Sequence, residues 1–236
     1  MGLSLALLIA CGLARPCALA EPATASAPAP AAKPVATARF AKEIDAFEAY
    51  DHKNAPPRDP ILFVGSSTIR LWESADAFPD LPVINRGFGG STIDDVTYYA
   101  DRIVFNYKPR VIVFYSGDND IASGRSPDRV FSDFRRFADS LHSRLPETKL
   151  IYLSIKPSPA RWKMWDKAQN TNAQVKKFAD SNKWISYVDT APSLFNTKGE
   201  PTPELFREDG LHMNADGYER WKVLLTPRLK ELASHP

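Results

Sequence analysis

Asp209-Gly-Leu-His212 places a carboxylate three residues before an imidazole, with a glycine between them. One tight turn across that glycine can bring both side chains to one place. The carboxylate can then orient the ring and stabilise its cationic form, while the other ring nitrogen serves a serine hydroxyl. A structural Asp–His contact capping the following helix accounts for this segment equally well. Of the other three histidines, His52 lies near the N-terminal edge, His142 sits among charged residues of a helix and His235 is in the tail. Three further segments carry groups suited to the same chemistry. Gly65-Ser66-Ser67 puts a hydroxyl near a helix N-terminus, whose free N–H groups favour negative charge, although either serine could simply cap that helix. In Asn85-Arg-Gly-Phe-Gly-Gly-Ser91, the glycines at 87, 89 and 90 permit tight turns and close backbone approach to a ligand. The spacing is not that of a dinucleotide fingerprint, and an ordinary glycine-rich turn explains it as well. Gly117-Asp-Asn-Asp120 offers the Asn119 amide as a donor to an oxyanion, or a polar turn ending a strand.

These segments need a scaffold that holds them at one edge. Ile61–Val64, Val83–Ile84, Val111–Tyr115, Leu150–Ile155 and Ile185–Val188 are short apolar runs, as expected of strands buried on both faces of a parallel sheet. Helical spacing lies between them, over 93–105, 127–145 and 168–181, with a last stretch from about 215 to 232. Pro227 is expected to kink or divide that last helix. The alternation predicts a three-layer α/β/α sandwich on a five-stranded parallel sheet, flavodoxin-like in type, with right-handed crossovers. Sites in such sheets form at the carboxyl ends of strands. Three of the four segments directly follow a strand, and the fourth precedes the last helix.

As an ordered set, the four segments resemble the blocks of the SGNH (GDSL-like) hydrolase family, named for its Ser, Gly, Asn and His residues. The resemblance runs from about Asp59 to Leu232. It implies a carboxylic ester hydrolase with Ser67, Asp209 and His212 as catalytic residues. The implied oxyanion hole consists of the Ser67 and Gly90 N–H groups and the Asn119 side chain. It implies no cofactor and no metal. One position departs from the family pattern: Ser66 stands where the family usually has Asp, which changes how the nucleophile turn is braced. The resemblance suggests short acyl groups, often acetyl, on sugars or other alcohols, hydrolysed through an acyl-enzyme. A glycan O-acyltransferase of the same fold and a non-catalytic carbohydrate-binding protein are the alternatives. The segment Lys156 to Trp165 should border the site, with Trp162 placed to stack on a sugar ring and Arg161 to hold an anionic group. Packing of the tryptophans into the domain is the competing expectation.

The rest of the composition narrows the partners. The chain has 236 residues, 44% apolar and 25% charged, with a net charge of +2. These values suit an ordinary globular protein and give no reason to expect nucleic acid as a partner. Residues 1–20 read as a signal peptide ending in Ala18-Leu19-Ala20. Their apolar run is too short to span a bilayer, which takes roughly 20 such residues. The two cysteines, Cys11 and Cys17, both lie there. Leu8-Ile-Ala-Cys11 resembles a lipobox, but only ten residues precede Cys11, so plain cleavage is the favoured expectation over a lipid anchor. Residues 21–38 are Ala/Pro-rich and read as an extended linker, leaving 39–236 as the catalytic domain. The expected location is therefore periplasmic or secreted, acting on a small-molecule or glycan ester.

Overall fold

The computed structural model describes Met1, Gly2 and residues 38–234. The expected signal peptide and linker therefore lie, but for Met1, Gly2 and Ala38, outside the described residues. The chain divides into two units, 1–33 and 34–236. Every strand and helix among the described residues lies in the second. Its strands are β1 (Ile61–Gly65), β2 (Val83–Gly87), β3 (Val111–Tyr115), β4 (Lys149–Leu153) and β5 (Ile185–Val188). All pairings are parallel, in the order β2-β1-β3-β4-β5. The α-helices are α1 (Ala41–Lys53), α2 (Ser67–Arg70), α3 (Ser74–Ala77), α4 (Ile93–Ile103), α5 (Asp118–Ala122), α6 (Pro127–Arg144), α7 (Trp165–Asp180) and α8 (Ala215–Ser234).

Three layers follow from the strands' two-residue side-chain period. Leu62, Val64, Ile112, Phe114, Leu150 and Tyr152 face one side, where α1, α4, α6 and α7 cover them. Ile61, Phe63, Val111, Val113, Tyr115, Ile151 and Leu153 face the other, against α2 and α8. The central strands β1 and β3 are apolar and buried on both faces because each face meets a helix layer. Trp221 of α8 is wholly buried, edge-on to Trp72 and tilted against Tyr115. Burial of its apolar surface contributes up to roughly 3 kcal/mol, offset by an indole N–H that has no hydrogen-bond partner among the described residues.

Local signals set the helix starts. The Thr92 hydroxyl accepts from the Asp95 N–H while the Asp95 carboxylate accepts from the Thr92 N–H, a reciprocal cap on α4. Ser126 caps α6, with Pro127 at its first position.

Several features, the following among them, bear on the sequence expectation. Strand β2 extends through Asn85 and Arg86, whose polar side chains find partners. Asn85 donates to the Ile69 and Trp72 carbonyls, and Arg86 donates to Tyr107 and Asp51. Helix α1 is additional, docked through Ile44 and Phe47. Helix α8 passes through Pro227 undivided. The carbonyl that Pro227 leaves without a helical partner belongs to Val223, a residue exposed to solvent, where water can satisfy it.

Candidate active site

The turn that carries Ser67 begins with a glycine that no other residue could replace without movement. Gly65 ends β1 at φ 144°, and a Cβ built there would lie 1.9 Å from the Tyr115 carbonyl oxygen of β3. With no side chain in the way, the chain turns tightly over β3. The Ser66 N–H donates to the Tyr115 carbonyl at 3.1 Å, and the Phe88 N–H donates to the Gly65 carbonyl at 3.0 Å. Ser67 is then the first residue of α2. Ser66 holds the cap position, but its buried hydroxyl makes no capping bond. The capping role that Gly-Ser-Ser allowed is therefore not what Ser66 does. The brace where the family usually has Asp is the Ser66 backbone N–H on Tyr115.

Asp209-Gly-Leu-His212 forms a turn in front of α8. Gly210 at φ 61° closes it, and the Arg207 N–H donates to the His212 carbonyl at 2.7 Å. One Asp209 oxygen accepts the N–H groups of Leu211 and His212, at 2.8 and 2.9 Å. The other lies 2.6 Å from His212 Nδ1. His212 Nε2 lies 2.9 Å from the Ser67 hydroxyl, across 145 positions of sequence. Burial of itself would raise the Asp209 carboxyl. The His212 ring and the two amides outweigh it and hold the group well below the usual carboxylate range. Asp209 is therefore ionised when it faces the ring.

The three N–H donors expected of an oxyanion hole lie on neighbouring loops. Among the described residues, neither the Ser67 nor the Gly90 amide donates a hydrogen bond to the protein. Gly90 adopts φ 76°, with open space where a Cβ would be. Asn119, second residue of α5, donates one amide hydrogen to the Ser91 carbonyl at 3.0 Å, so the Asn119 segment is tied to the Gly90 loop. The three sit at the carboxyl ends of β1, β2 and β3. The chain changes winding direction between β1 and β3, and a ligand crevice is expected at such a switch point.

Both expected substrate contacts also have partners within the protein. The Arg161 guanidinium already has protein partners: Nη1 is 2.6 Å from Asp118, and Nη2 donates to the Asn119 side-chain oxygen at 3.0 Å. An anionic substrate group would have to displace a carboxylate. Trp162 is half-buried, stacked with Trp165 and edge-on to Phe195. The segment does border the site, since the Ala160 N–H donates to the Gly210 carbonyl at 3.0 Å. Under Arg161 lies Lys156, fully buried, 3.5 Å from Asp118. Burial pushes the Lys156 ammonium down, opposed by Asp118. Burial would raise Asp118, but Lys156 and Arg161 hold it low. The sequence reading missed this ion cluster and the hydrogen bond from Arg39 to the Gly90 carbonyl. Asp118 stood next to Asn119, but no spacing rule connects it to residues about 40 positions away.

Behind Asn119, Asp120 anchors α5 to α4 by accepting from the Ile93 N–H. Arg125 reaches Asp94, Asp120 and Asp133, at 2.9, 3.1 and 2.6 Å. Among the described residues, no group of three or more His, Cys, Asp and Glu side chains is placed to hold a metal ion. Burial pushes the Asp120 carboxyl up to about 7, against the opposing charge of Arg125. An unfolded Asp releases its proton near pH 4, roughly. Between about pH 4 and 7 the folded state therefore binds more protons, and this group's contribution to stability declines as pH rises. Urea denaturation of the wild type and Asp120→Asn across that range should show the wild type losing ground to the variant with rising pH. Each unit of separation between folded and unfolded values is worth about 1.4 kcal/mol. A difference that stays constant with pH would refute a protonated Asp120.

The GDSL-like lipase/acylhydrolase family model matches residues 70–220. That span includes Gly90, Asn119, Asp209 and His212 and begins three residues after Ser67. A GDSL-like lipase from Bacteroides thetaiotaomicron is similar at 23% identity over 80% of this chain and 97% of its own, with a TM-score of 0.70. A member of the lipolytic G-D-S-L family from Veillonella parvula is 17% identical over 72% and 98%, at a TM-score of 0.61. An acetylxylan esterase from Geobacillus stearothermophilus, solved as a catalytic mutant, is 16% identical over 74% and 94%, also at 0.61. At these identities the likeness concerns the fold. A search of curated proteins gave no match.

Proposed function

Since the chain belongs to the GDSL-like lipase/acylhydrolase family and is a carboxylic ester hydrolase, we propose that it cleaves short-chain esters, acetyl esters foremost, through an acyl-enzyme on Ser67. The observation that carries this reading is the continuous relay Asp209–His212–Ser67, at 2.6 and 2.9 Å. In the first step His212 Nε2 takes the hydroxyl proton as Ser67 Oγ attacks the ester carbonyl carbon. The carbonyl oxygen gains the negative charge and is received by the N–H groups of Ser67, Gly90 and Asn119. As the tetrahedral intermediate collapses, the C–O bond to the alcohol breaks and His212 protonates the leaving oxygen. A water molecule, deprotonated by the same nitrogen, then attacks the acyl carbon, and Ser67 recovers its proton as the acid departs. Asp209, held ionised, stabilises the imidazolium in both halves.

A carbohydrate as the alcohol side is supported by the half-buried aromatic group of Trp162, Trp165 and Phe195 beyond Arg161. The name of the Geobacillus neighbour, an acetylxylan esterase, points the same way. Export rests on residues 1–20, which but for Met1 and Gly2 lie outside the described residues. Among the described residues, no helix is long and apolar enough to cross a membrane.

Incubation with a fluorophosphonate, followed by peptide mass spectrometry, should find one adduct, on Ser67. p-Nitrophenyl acetate should turn over faster than the butyrate and longer esters. Label on another residue would overturn the nucleophile, and faster hydrolysis of the longer esters would overturn the short acyl pocket.

A further inference from the structure

We infer that Arg161 is a positioning residue for the oxyanion hole, holding the Asn119 carboxamide in one orientation through the ion cluster beneath it. The inference rests on the reading of Asn119 as an oxyanion donor. A free carboxamide has two orientations related by a flip, and only one aims N–H at the reacting oxygen. Here both ends are engaged. The Asn119 oxygen accepts from Arg161 Nη2 at 3.0 Å, and one amide hydrogen goes to the Ser91 carbonyl at 3.0 Å. A flip would set N–H groups against the guanidinium and the amide oxygen against the Ser91 carbonyl, so it is disfavoured at both ends. The second amide hydrogen has no acceptor among the described residues and remains for the oxyanion.

The guanidinium is itself fixed. Asp118 binds its other nitrogen at 2.6 Å, and Lys156, fully buried, lies 3.5 Å from the same carboxylate. Arginine suits this place because one guanidinium nitrogen donates to Asn119 while the other lies in ion-pair contact with Asp118, without a hydrogen bond. A cation on the amide oxygen also polarises the group, which strengthens its remaining N–H as a donor. The developing negative charge exists only in the transition state, so losing Arg161 should appear in kcat and not in KM.

The test is a double-mutant cycle on p-nitrophenyl acetate hydrolysis with Asn119→Ala, Arg161→Ala and the double variant, each checked by circular dichroism. Asn119→Ala should lower kcat by about 100- to 1000-fold. Arg161→Ala should lower kcat by about 10- to 100-fold, with KM within roughly twofold, and should add almost nothing once Asn119 is alanine. Should Arg161→Ala fail to fold, the cycle runs with Arg161→Lys, which keeps a charge against Asp118 but lacks the two-pronged fork. Equal loss from the Arg161 change in both backgrounds would overturn the positioning role while leaving the oxyanion hole intact. So would a raised KM with kcat unchanged, which would return Arg161 to substrate binding. An Asn119→Ala variant with near-normal kcat would remove the oxyanion reading itself, and this inference with it.

Discussion

Ser67→Ala should lower kcat for p-nitrophenyl acetate by about a million-fold, with KM little changed. The hydroxyl is the atom that forms the new bond, and the structure gives it one side-chain partner, His212 Nε2 at 2.9 Å. His212→Ala should cost nearly as much, since without a base the hydroxyl remains a weak nucleophile at neutral pH. The informative comparison is Ser67→Ala with His212→Ala in one chain. Residues that act as a unit are not additive, so the double variant should be about as slow as either single one. Losses that multiply would mean that the two groups serve separate steps. A Ser67→Ala variant within about a hundredfold of wild type would put the nucleophile elsewhere. Neither substitution should disturb folding much, because Ser67 sits on a helix start braced by backbone bonds.

The second large effect is on Asp209. Asp209→Asn should lower kcat by roughly ten-thousand-fold while leaving thermal stability close to wild type. One oxygen suffices for the two backbone amides, Leu211 and His212, that shape the turn, and asparagine keeps one. The other oxygen faces His212 Nδ1 at 2.6 Å. An amide NH2 in that place donates a hydrogen and so requires an unprotonated Nδ1. The ring proton then moves to Nε2, the atom that should receive the serine proton. The fold survives and the tautomer is wrong. Steady-state kinetics together with a melting curve separates the two readouts. An Asn variant within tenfold of wild type would show that the carboxylate is dispensable, whereas a large fall in melting temperature would show that its role is structural.

Much of this arrangement was legible in the sequence, for physical reasons. The central strands announced themselves because both of their faces are buried, leaving apolar runs such as Val111–Tyr115. Strand β2 was half hidden, since Asn85 and Arg86 are polar yet paired. Helix α1 was missed beside the linker, its docking resting mainly on Ile44 and Phe47. Pro227 does not divide α8, because the carbonyl it leaves without a helical partner is on the solvent-exposed Val223, which local sequence does not encode. Ser67, Gly90, Asn119, Asp209 and His212 stood out only as an ordered set resembling a family's blocks, because each segment alone is equally an ordinary turn or cap. Arg161 was placed beside the site, but its partners Asp118 and Asn119 lie 43 and 42 positions away, a pairing set by the β3–β4 neighbourhood. What the sequence did not show is that a carboxylate, Asp118, already lies beside this arginine.

Gly65 has a consequence for how such a chain can diverge. The approach of its Cα to the Tyr115 carbonyl is a contact between two backbones, and the Ser66 N–H fastens the same pair of strands. The separation of the Ser67 turn from the Asn119 turn is thus gauged by peptide groups and not by the side chains of the core. Substitutions can accumulate on both sheet faces, provided volume and polarity are kept, without resetting the distance between nucleophile and oxyanion donors. A fold shared at a TM-score of 0.70 with 23% identity is what such a backbone gauge would permit. Residue 65 is the position at which drift should be arrested first.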